Sequence, residues 1–367
     1  MHNQDTHYMQ LALELAAKGR GAVAPNPMVG AVIVKDGRII GAGYHEKFGE
    51  GHAEVNAFRS ATEDVAGATV YVTLEPCSHY GKTPPCSDKI IEMKIGRVVI
   101  AALDPNPLVS GRGVKKLQAA GIEVVTGVLA EESRRLNEVF MKHIVTKEPF
   151  VVMKAAMSLD GKIATRTGES QWITGPAARE RVHQLRSVLS AIMVGVQTVI
   201  TDDPQLTSRI PGGKNPLRII VDSSLRIPLE AKVLRDQDSA KTIIATTEQA
   251  DRNKAALLEE AGIELLTVPA KDGRTDLKAL MRVLGERGID SILLEGGATL
   301  NFTALQAGIV DKVQVYIAPK LIGGETAKTP VGGEGIEKLS QAFGVLDLKA
   351  SAVGEDILLE GYISKNA

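Results

Sequence analysis

Apolar residues recur along the chain with two spacings, and the switches between them mark out the elements. Leu11, Leu15 and their neighbours repeat at helical spacing and predict an amphipathic helix over residues 4–18. The stretch MVGAVIVKDGRIIGAGYH, residues 28–45, reads as a β-hairpin: an apolar run, an Asp36-Gly37 turn and a second strand. A helix is expected over 52–61, a strand in GATVYVTLEP, a helix over 85–94 and a strand in GRVVIAAL. A helix over 112–120, a strand in IEVVTG and a charged helix over 130–145 complete the first part. This alternation is that of one sheet with helices on its faces. A polar Thr-Lys-Glu-Pro joint then precedes a new β-branched run, which places a boundary near residue 147 and predicts domains 1–147 and 148–367. In the second part, strands are expected near 150–156, 190–194, 217–222, 241–246, 263–268, 290–295, 312–318 and 356–363, the last as an edge or antiparallel addition. Helices are expected near 176–188, 250–261, 276–287 and 298–307. The fold class is α/β in both halves. The glycine-rich segment LIGGETAKTPVGGEG reads as a mobile surface loop.

Length agrees with two domains, since 367 residues exceed what one core usually serves. Composition narrows the function classes. The chain is 44% hydrophobic and 24% charged with a net charge of -1, so it carries no general basic footprint for nucleic acid. It contains no apolar run of about 18 residues or more, which argues against a membrane span. The first twenty residues lack a basic start and contain early acidic residues, unlike a signal peptide. Two cysteines exclude a disulfide framework and suit a reducing cytoplasm, where paired cysteines point to metal or catalysis.

Those cysteines, Cys77 and Cys86, follow a His-x-Glu formed by His52 and Glu54. One imidazole and two thiolates would leave a zinc ion's fourth position open, as in catalytic rather than structural sites. Glu54, at a helix start, would reach the same cavity without touching the metal and relay protons. The arrangement suits hydrolytic deamination, whose pattern is H-x-E followed by P-C-x-x-C. Here eight residues rather than two separate the cysteines. A lone His-x-Glu is common by chance, and free cysteines often pack simply as small hydrophobes. A structural zinc site would usually need a fourth protein ligand.

HAEVNAF with EPCSHYGKTPPC resembles the family of bifunctional riboflavin-biosynthesis proteins, a pyrimidine deaminase fused to a reductase; the long loop between the cysteines is the form that family carries. The resemblance continues through APNPMVGAVIV, ALDPNP, KAAMSLDGKIA, GESQWITG, TDDPQLTSR and LLEGGATLNF, covering essentially the whole chain. It implies an N-terminal cytidine-deaminase-like mixed sheet with flanking helices and a C-terminal dihydrofolate-reductase-like α/β domain. It also implies deamination of 2,5-diamino-6-(5-phosphoribosylamino)pyrimidin-4(3H)-one, then NADPH-dependent reduction of the ribosyl group of 5-amino-6-(5-phosphoribosylamino)uracil. One zinc per chain would sit on His52, Cys77 and Cys86, with Glu54 as the proton shuttle. Asn26, His45, His79, Lys82, Asp104 and Asn106 match the family's deaminase pocket. Asn26 and Asn106 each lie between prolines, which would hold their amides still; the bland reading of Asn-Pro is a turn.

The second half speaks less clearly. DSILLEGGATLNFTAL is a strand, a Gly-Gly turn and a helix, a shape that can cradle a phosphate but is more often a tight connection. No G-x-G-x-x-G fingerprint occurs. By resemblance, NADPH would contact Ala156, Trp172, Thr198, Asp202, Ser223, Gly297, Ala298, Thr299, Leu300 and Asn301. Ser170, Arg186, Leu206, Arg209 and Glu295 would bind the reductase substrate, with Arg186 and Arg209 gripping its phosphate. Most arginines are ordinary surface charge, and a lone tryptophan more often fills a core. Lys154 and Asp160 lie at the same mouth without an assigned role. The expected partners are small phosphorylated pyrimidines, with neither nucleic acid nor membrane, in a cytoplasmic homo-oligomer. The competing readings are a deaminase of another base with a nucleotide-binding second half, and a non-enzymatic zinc scaffold.

Overall fold

The computed structural model describes residues 2–80, 84–106 and 109–364, with side chains from residue 4 onward. Two compact units divide the chain, Met1–Lys147 and Glu148–Ala367.

The first unit runs α1 (His2–Ala17), β1 (Gly30–Lys35), β2 (Arg38–Tyr44), α2 (Ala53–Arg59), β3 (Thr69–Leu74), α3 (Cys86–Glu92), β4 (Arg97–Ala102), α4 (Arg112–Ala119), β5 (Glu123–Thr126), α5 (Ala130–Leu136) and α6 (Glu138–Thr146). Its five strands lie in the order β2-β1-β3-β4-β5. β1 is antiparallel to β2 and β3, and β3, β4 and β5 are parallel. Alternation along the strands sends side chains to both faces, and helices bury both. Ile33, Val72 and Ile100 pack with Ala57 of α2, Ile90 of α3 and Leu117 of α4. Val32, Tyr71 and Val99 pack with Met9 and Ala12 of α1. A Cβ on Gly30 would stand 2.0 Å from the Ala12 carbonyl oxygen, so α1 lies directly against the backbone of β1.

The charged segment expected as one helix is two, α5 and α6, broken at Asn137. That residue is 2% exposed, accepts from Met28 N–H at 2.7 Å and donates to Met28 O at 2.9 Å. A long-range pair of hydrogen bonds takes precedence there over an unbroken helix, and helical spacing carries no record of such a bond.

The second unit runs β6 (Phe150–Ser158), α7 (Pro176–Val188), β7 (Ala191–Gly195), α8 (Val196–Asp202), β8 (Leu217–Val221), β9 (Thr242–Thr246), α9 (Arg252–Glu260), β10 (Glu264–Thr267), the short pair β11 (Ala270–Lys271) and β12 (Arg274–Thr275), α10 (Leu277–Glu286), β13 (Ser291–Leu294), α11 (Ala298–Gln306), β14 (Lys312–Ala318), β15 (Val345–Val353) and β16 (Asp356–Ile363). Nine strands form one sheet in the order β10-β9-β8-β7-β13-β6-β14-β16-β15. The first seven are parallel, and β16 is antiparallel to both of its neighbours. After β6 the chain steps outward through β7 to β10, then returns to place β13 between β7 and β6. Such a reversal opens a crevice at the carboxyl ends of the strands, where ligands of open α/β sheets bind.

Two sequence expectations change here. β16 is the antiparallel addition expected, but it lies inside the sheet, and the outer edge is β15, which the sequence reading left out. All of β15 except Val353 is exposed, so burial imposed no alternation on it to read. The glycine-rich loop is tied down: Ile163 N–H donates to Lys328 O at 2.9 Å, Asn301 Nδ2 to Pro330 O at 2.8 Å and Gly332 N–H to Ala298 O at 3.0 Å. Gly333 has φ +76, and a Cβ there would fall 2.4 Å from the Phe302 ring, so the loop seats on α11 only with glycine at this position.

Candidate active sites

His52 precedes α2 in extended conformation, and Glu54 lies in that helix's first turn. Cys77 follows β3, and Cys86 opens α3. The chain between them returns on itself: Cys86 N–H donates to Cys77 Sγ at 3.2 Å, and Ser87 N–H to Cys77 O at 3.1 Å. His52 Nδ1 lies 3.3 Å from Cys86 Sγ and 3.6 Å from Cys77 Sγ. All three donor atoms fall within 4.8 Å of one another. Zinc bonds of about 2.0–2.3 Å at tetrahedral angles put donor atoms roughly 3.5 Å apart, so this soft, three-membered set stands at the spacing zinc requires. A hydrogen bond from the Cys86 thiol pulls Cys77 down to about 4, and the same contact together with burial pushes Cys86 up. Glu54 is 4% exposed, and burial pushes its carboxyl up to about 7.

His52, Glu54 and Cys77 open onto a cavity of about 290 Å³. Asn26, His45, His79, Asp104 and Asn106 all line it. Lys82 lies outside the described residues. His45 is buried, and burial lowers its pKa, which keeps the ring neutral. Its Nδ1 stands 3.1 Å from Gly51 O, which can only accept, so Nδ1 carries the hydrogen and Nε2 a lone pair. Asn26 Nδ2 donates to that lone pair at 3.1 Å. The Asn26 carbonyl oxygen is thereby left as the acceptor available to a ligand N–H. Asp104 Oδ1 accepts from Asn106 N–H at 2.8 Å, fixing the turn between them.

The second unit holds two adjoining cavities at the carboxyl ends of its strands. One, of about 720 Å³, is lined by Thr198, Asp202, Ser223, Gly297, Ala298, Thr299 and Leu300. The other, of about 820 Å³, is lined by Arg186, Leu206, Arg209 and Glu295. Ser170, Thr198 and Asp202 border both. Ala156, Trp172 and Asn301, expected among the cofactor contacts, face the 820 Å³ cavity instead. Trp172 is 59% exposed rather than core, with the Arg179 guanidinium 4.8 Å from its ring centroid. Leu206 is buried and holds φ +55.

At the centre of the larger cavity is an ion triad. Arg186 Nε and Nη2 donate to Glu295 Oε1 and Oε2 at 2.7 and 3.1 Å, and Lys154 Nζ approaches Oε2 at 3.4 Å. Burial alone would raise the Glu295 carboxyl, but Arg186 and then Lys154 outweigh it and hold it down at about 2. Arg186 also donates to Thr207 O at 3.2 Å, so most of its donors are committed before any ligand arrives. Arg209 is exposed at the same wall and forms no ion pair among the described residues.

Residues 149–359 match the family model described as the RibD C-terminal domain, and residues 2–102 match the cytidine and deoxycytidylate deaminase zinc-binding region. The riboflavin biosynthesis protein RibD of Actinobacillus pleuropneumoniae is 53% identical over 97% of this chain and 94% of its own. The chain belongs to the RibD family. Among solved structures, Acinetobacter baumannii RibD superposes with a TM-score of 0.87 at 39% identity, covering 100% of both chains. A Thermotoga maritima diaminohydroxyphosphoribosylaminopyrimidine deaminase/5-amino-6-(5-phosphoribosylamino)uracil reductase gives 0.83 at 41% identity over 99% of each. The likeness runs through both units, so this RibD chain carries a zinc-binding deaminase region and a reductase domain together.

Sequence reasoning passed over Glu75 in this RibD chain. It is 4% exposed, and its carboxylate collects four backbone donors: Asp104 N–H at 3.3 Å, Gly111 N–H at 3.0 Å, Gly113 N–H at 2.9 Å and Val114 N–H at 3.3 Å. It fastens the turn that bears Asp104 and Asn106 to the end of β3. The one available signal was an acidic residue directly after a buried strand. Phe140 and Ile144 of α6 close the same cavity and were missed because helical spacing does not say what a helix face meets. Glu75→Gln keeps the shape but halves the acceptor capacity. It should cost about 1.5–3 kcal/mol and raise the KM for deamination while zinc content stays constant. An unchanged KM, with melting also unchanged, would remove Glu75 from this role.

Proposed function

We propose that the first unit hydrolyses the 2-amino group of 2,5-diamino-6-(5-phosphoribosylamino)pyrimidin-4(3H)-one and that the second reduces the ribosyl group of the resulting uracil to ribityl with NADPH. The observation that carries this reading is the buried Glu54 in one small cavity with His52 and Cys77, whose donor atoms cluster with that of Cys86. Bound zinc supplies the Lewis acidity that makes a water nucleophilic near neutral pH. Glu54, raised toward neutrality by its burial, accepts the proton this water releases and returns it to the departing amine. Asn26 Oδ1 takes a hydrogen bond from the pyrimidine edge, with His45 holding the amide in that orientation. His79, exposed at the rim, and Lys82, three residues further along the sequence, attract the substrate's phosphate.

In the second unit, NADPH supplies the hydride. Opening the ribosylamine ring moves a proton from the exocyclic nitrogen to the ring oxygen; hydride arriving at C1′ of the resulting imine then calls for one more proton at nitrogen. Lys154 is the proton carrier at the cavity wall, and Glu295 holds it there. Arg209, without an ion-pair partner among the described residues, anchors the phosphate, while Arg186 serves chiefly to fix Glu295. Ser170, on the border of the two cavities, stands beside both ligands.

The test uses the full chain with zinc, the diaminopyrimidine ribosyl phosphate and NADPH. Ammonia release should come first, followed after a lag by oxidation of one NADPH per ammonia. Ammonia without NADPH oxidation would favour a deaminase with a nucleotide-binding second half. Oxidation preceding ammonia would overturn the order of the two reactions.

A further inference from the structure

Asn56 stands one helical turn after His52 in the HAEVNAF motif, and its N–H donates to His52 O at 3.0 Å as α2 begins. It does not line the 290 Å³ cavity. Its side chain instead holds both ends of the connection from β2 to α2, which carries His45. Nδ2 donates to Tyr44 O at 2.8 Å, where β2 stops, and to Gly51 O at 3.2 Å, just before His52. Both acceptors are carbonyl oxygens, so only the NH2 side of the amide can face them. β2 makes room for this approach: a Cβ on Gly43 would fall 2.8 Å from Asn56 Cβ. Gly51 O has a second donor, His45 Nδ1 at 3.1 Å, and His45 Nε2 lies 3.1 Å from Asn26 Nδ2. The main chains of both reading residues are fixed separately, His45 N–H by Val29 O at 2.9 Å and Asn26 N–H by Val23 O at 2.9 Å. What stays open is which ring nitrogen of His45 carries hydrogen and which way the Asn26 amide faces. The Gly51 oxygen settles the first, and through His45 it settles the second.

We propose that Asn56 is a positioning residue for base recognition in the first unit: by fixing Gly51 O it holds His45 in the tautomer that leaves Asn26 Oδ1 as the acceptor, and so selects a pyrimidine edge that presents an N–H. The inference rests on the deaminase reading given above and names a residue, remote from the ligand, that sets its specificity. The pyrimidin-4(3H)-one of that reading carries hydrogen on N3 and satisfies Oδ1. A cytosine-type ring, whose N3 bears a lone pair, would set two acceptors against each other and leave both unpaired. Without the Asn56 amide the connection from Tyr44 to Gly51 loses its tie at both ends, and the Gly51 oxygen is no longer held under the His45 ring. Hydrogen on Nε2 of His45 would then reverse the Asn26 amide and offer NH2 to an edge that also donates. The relay passes only through hydrogen-bond direction, so it bears on how well the base is bound rather than on the proton transfers of Glu54.

The experiment compares the full-length, zinc-loaded parent with N56D and N56A. Aspartate matches asparagine in size but offers the two carbonyls no hydrogen. Ammonia release from the diaminopyrimidine ribosyl phosphate, bound zinc and proton–nitrogen correlation spectra of the histidine rings are recorded on each protein. The parent should show His45 with hydrogen on Nδ1 and a bare Nε2. Both variants should lose that signature and raise the KM for ammonia release on the order of 10-fold, with kcat within about threefold and zinc unchanged. A KM within about twofold of the parent in both variants would overturn the relay. So would a joint loss of zinc and kcat, which would make Asn56 a support for the metal ligands. A parent spectrum with hydrogen on Nε2 of His45 overturns the relay even if neither variant folds, and leaves the deaminase reading standing. A parent that releases no ammonia would overturn both.

Discussion

Glu54→Gln should abolish ammonia release and leave the metal in place. The amide matches the carboxyl in shape, and Glu54 is not among the three metal donors. What it loses is the capacity to accept a proton from water and return it to the leaving amine, a service worth about 10²- to 10⁴-fold in rate. Stability should not suffer, because burial already disfavours the charged form of this carboxyl. Ammonia release, bound zinc by elemental analysis and the melting curve should be measured on one preparation. Turnover near the parent rate would remove Glu54 from the mechanism. Loss of zinc along with activity would instead mean that the glutamate supports the ligands.

The second large effect is expected at Glu295→Gln, and it should appear in stability as well as turnover. The substitution leaves Arg186 and Lys154 facing a neutral amide inside the cavity wall. Removing one partner of a buried ion pair typically costs about 3–5 kcal/mol. The carboxyl lies at about 2 in the folded chain against an ordinary 4.5, which corresponds to roughly 3 kcal/mol of native stability. Because the folded value is depressed, that contribution is complete above pH 4.5 and fades as the pH falls toward about 2. The melting transition of the second unit should therefore lose this contribution over that window in the parent, and Glu295→Gln should lack that component. NADPH oxidation should also drop, since Lys154 and Arg186 lose the group that positions them. Calorimetric scans of parent and variant at pH 7, 4 and 3 decide the matter; curves separated by the same interval at every pH would show that the pair does not stabilise the fold through its charge.

The sequence was most legible where local chemistry is self-contained. His-x-Glu followed by two thiols names its metal class without a fold, because zinc's preference for imidazole and thiolate belongs to the side chains themselves. The hairpin at Asp36-Gly37 and the positions of the buried strands of the second unit were equally legible, since a tight turn and a strand buried on both faces write their demands into neighbouring residues. Legibility failed where a residue answers to something distant. Asn137 breaks a helix because of Met28, and Glu75 is an anchor because the turn from 104 to 114 folds back onto it.

The family resemblance and the order of helices and strands were thus available from the amino acids alone, as was the donor chemistry of His52, Cys77 and Cys86. Only the tertiary structure decided that those donors stand at zinc spacing and that Glu295 is clasped by Arg186 and Lys154. The reason is physical: propensity and periodicity act between near neighbours in the chain, whereas ion pairing and ligand binding depend on distances in space, which are set when whole sheets and helices pack.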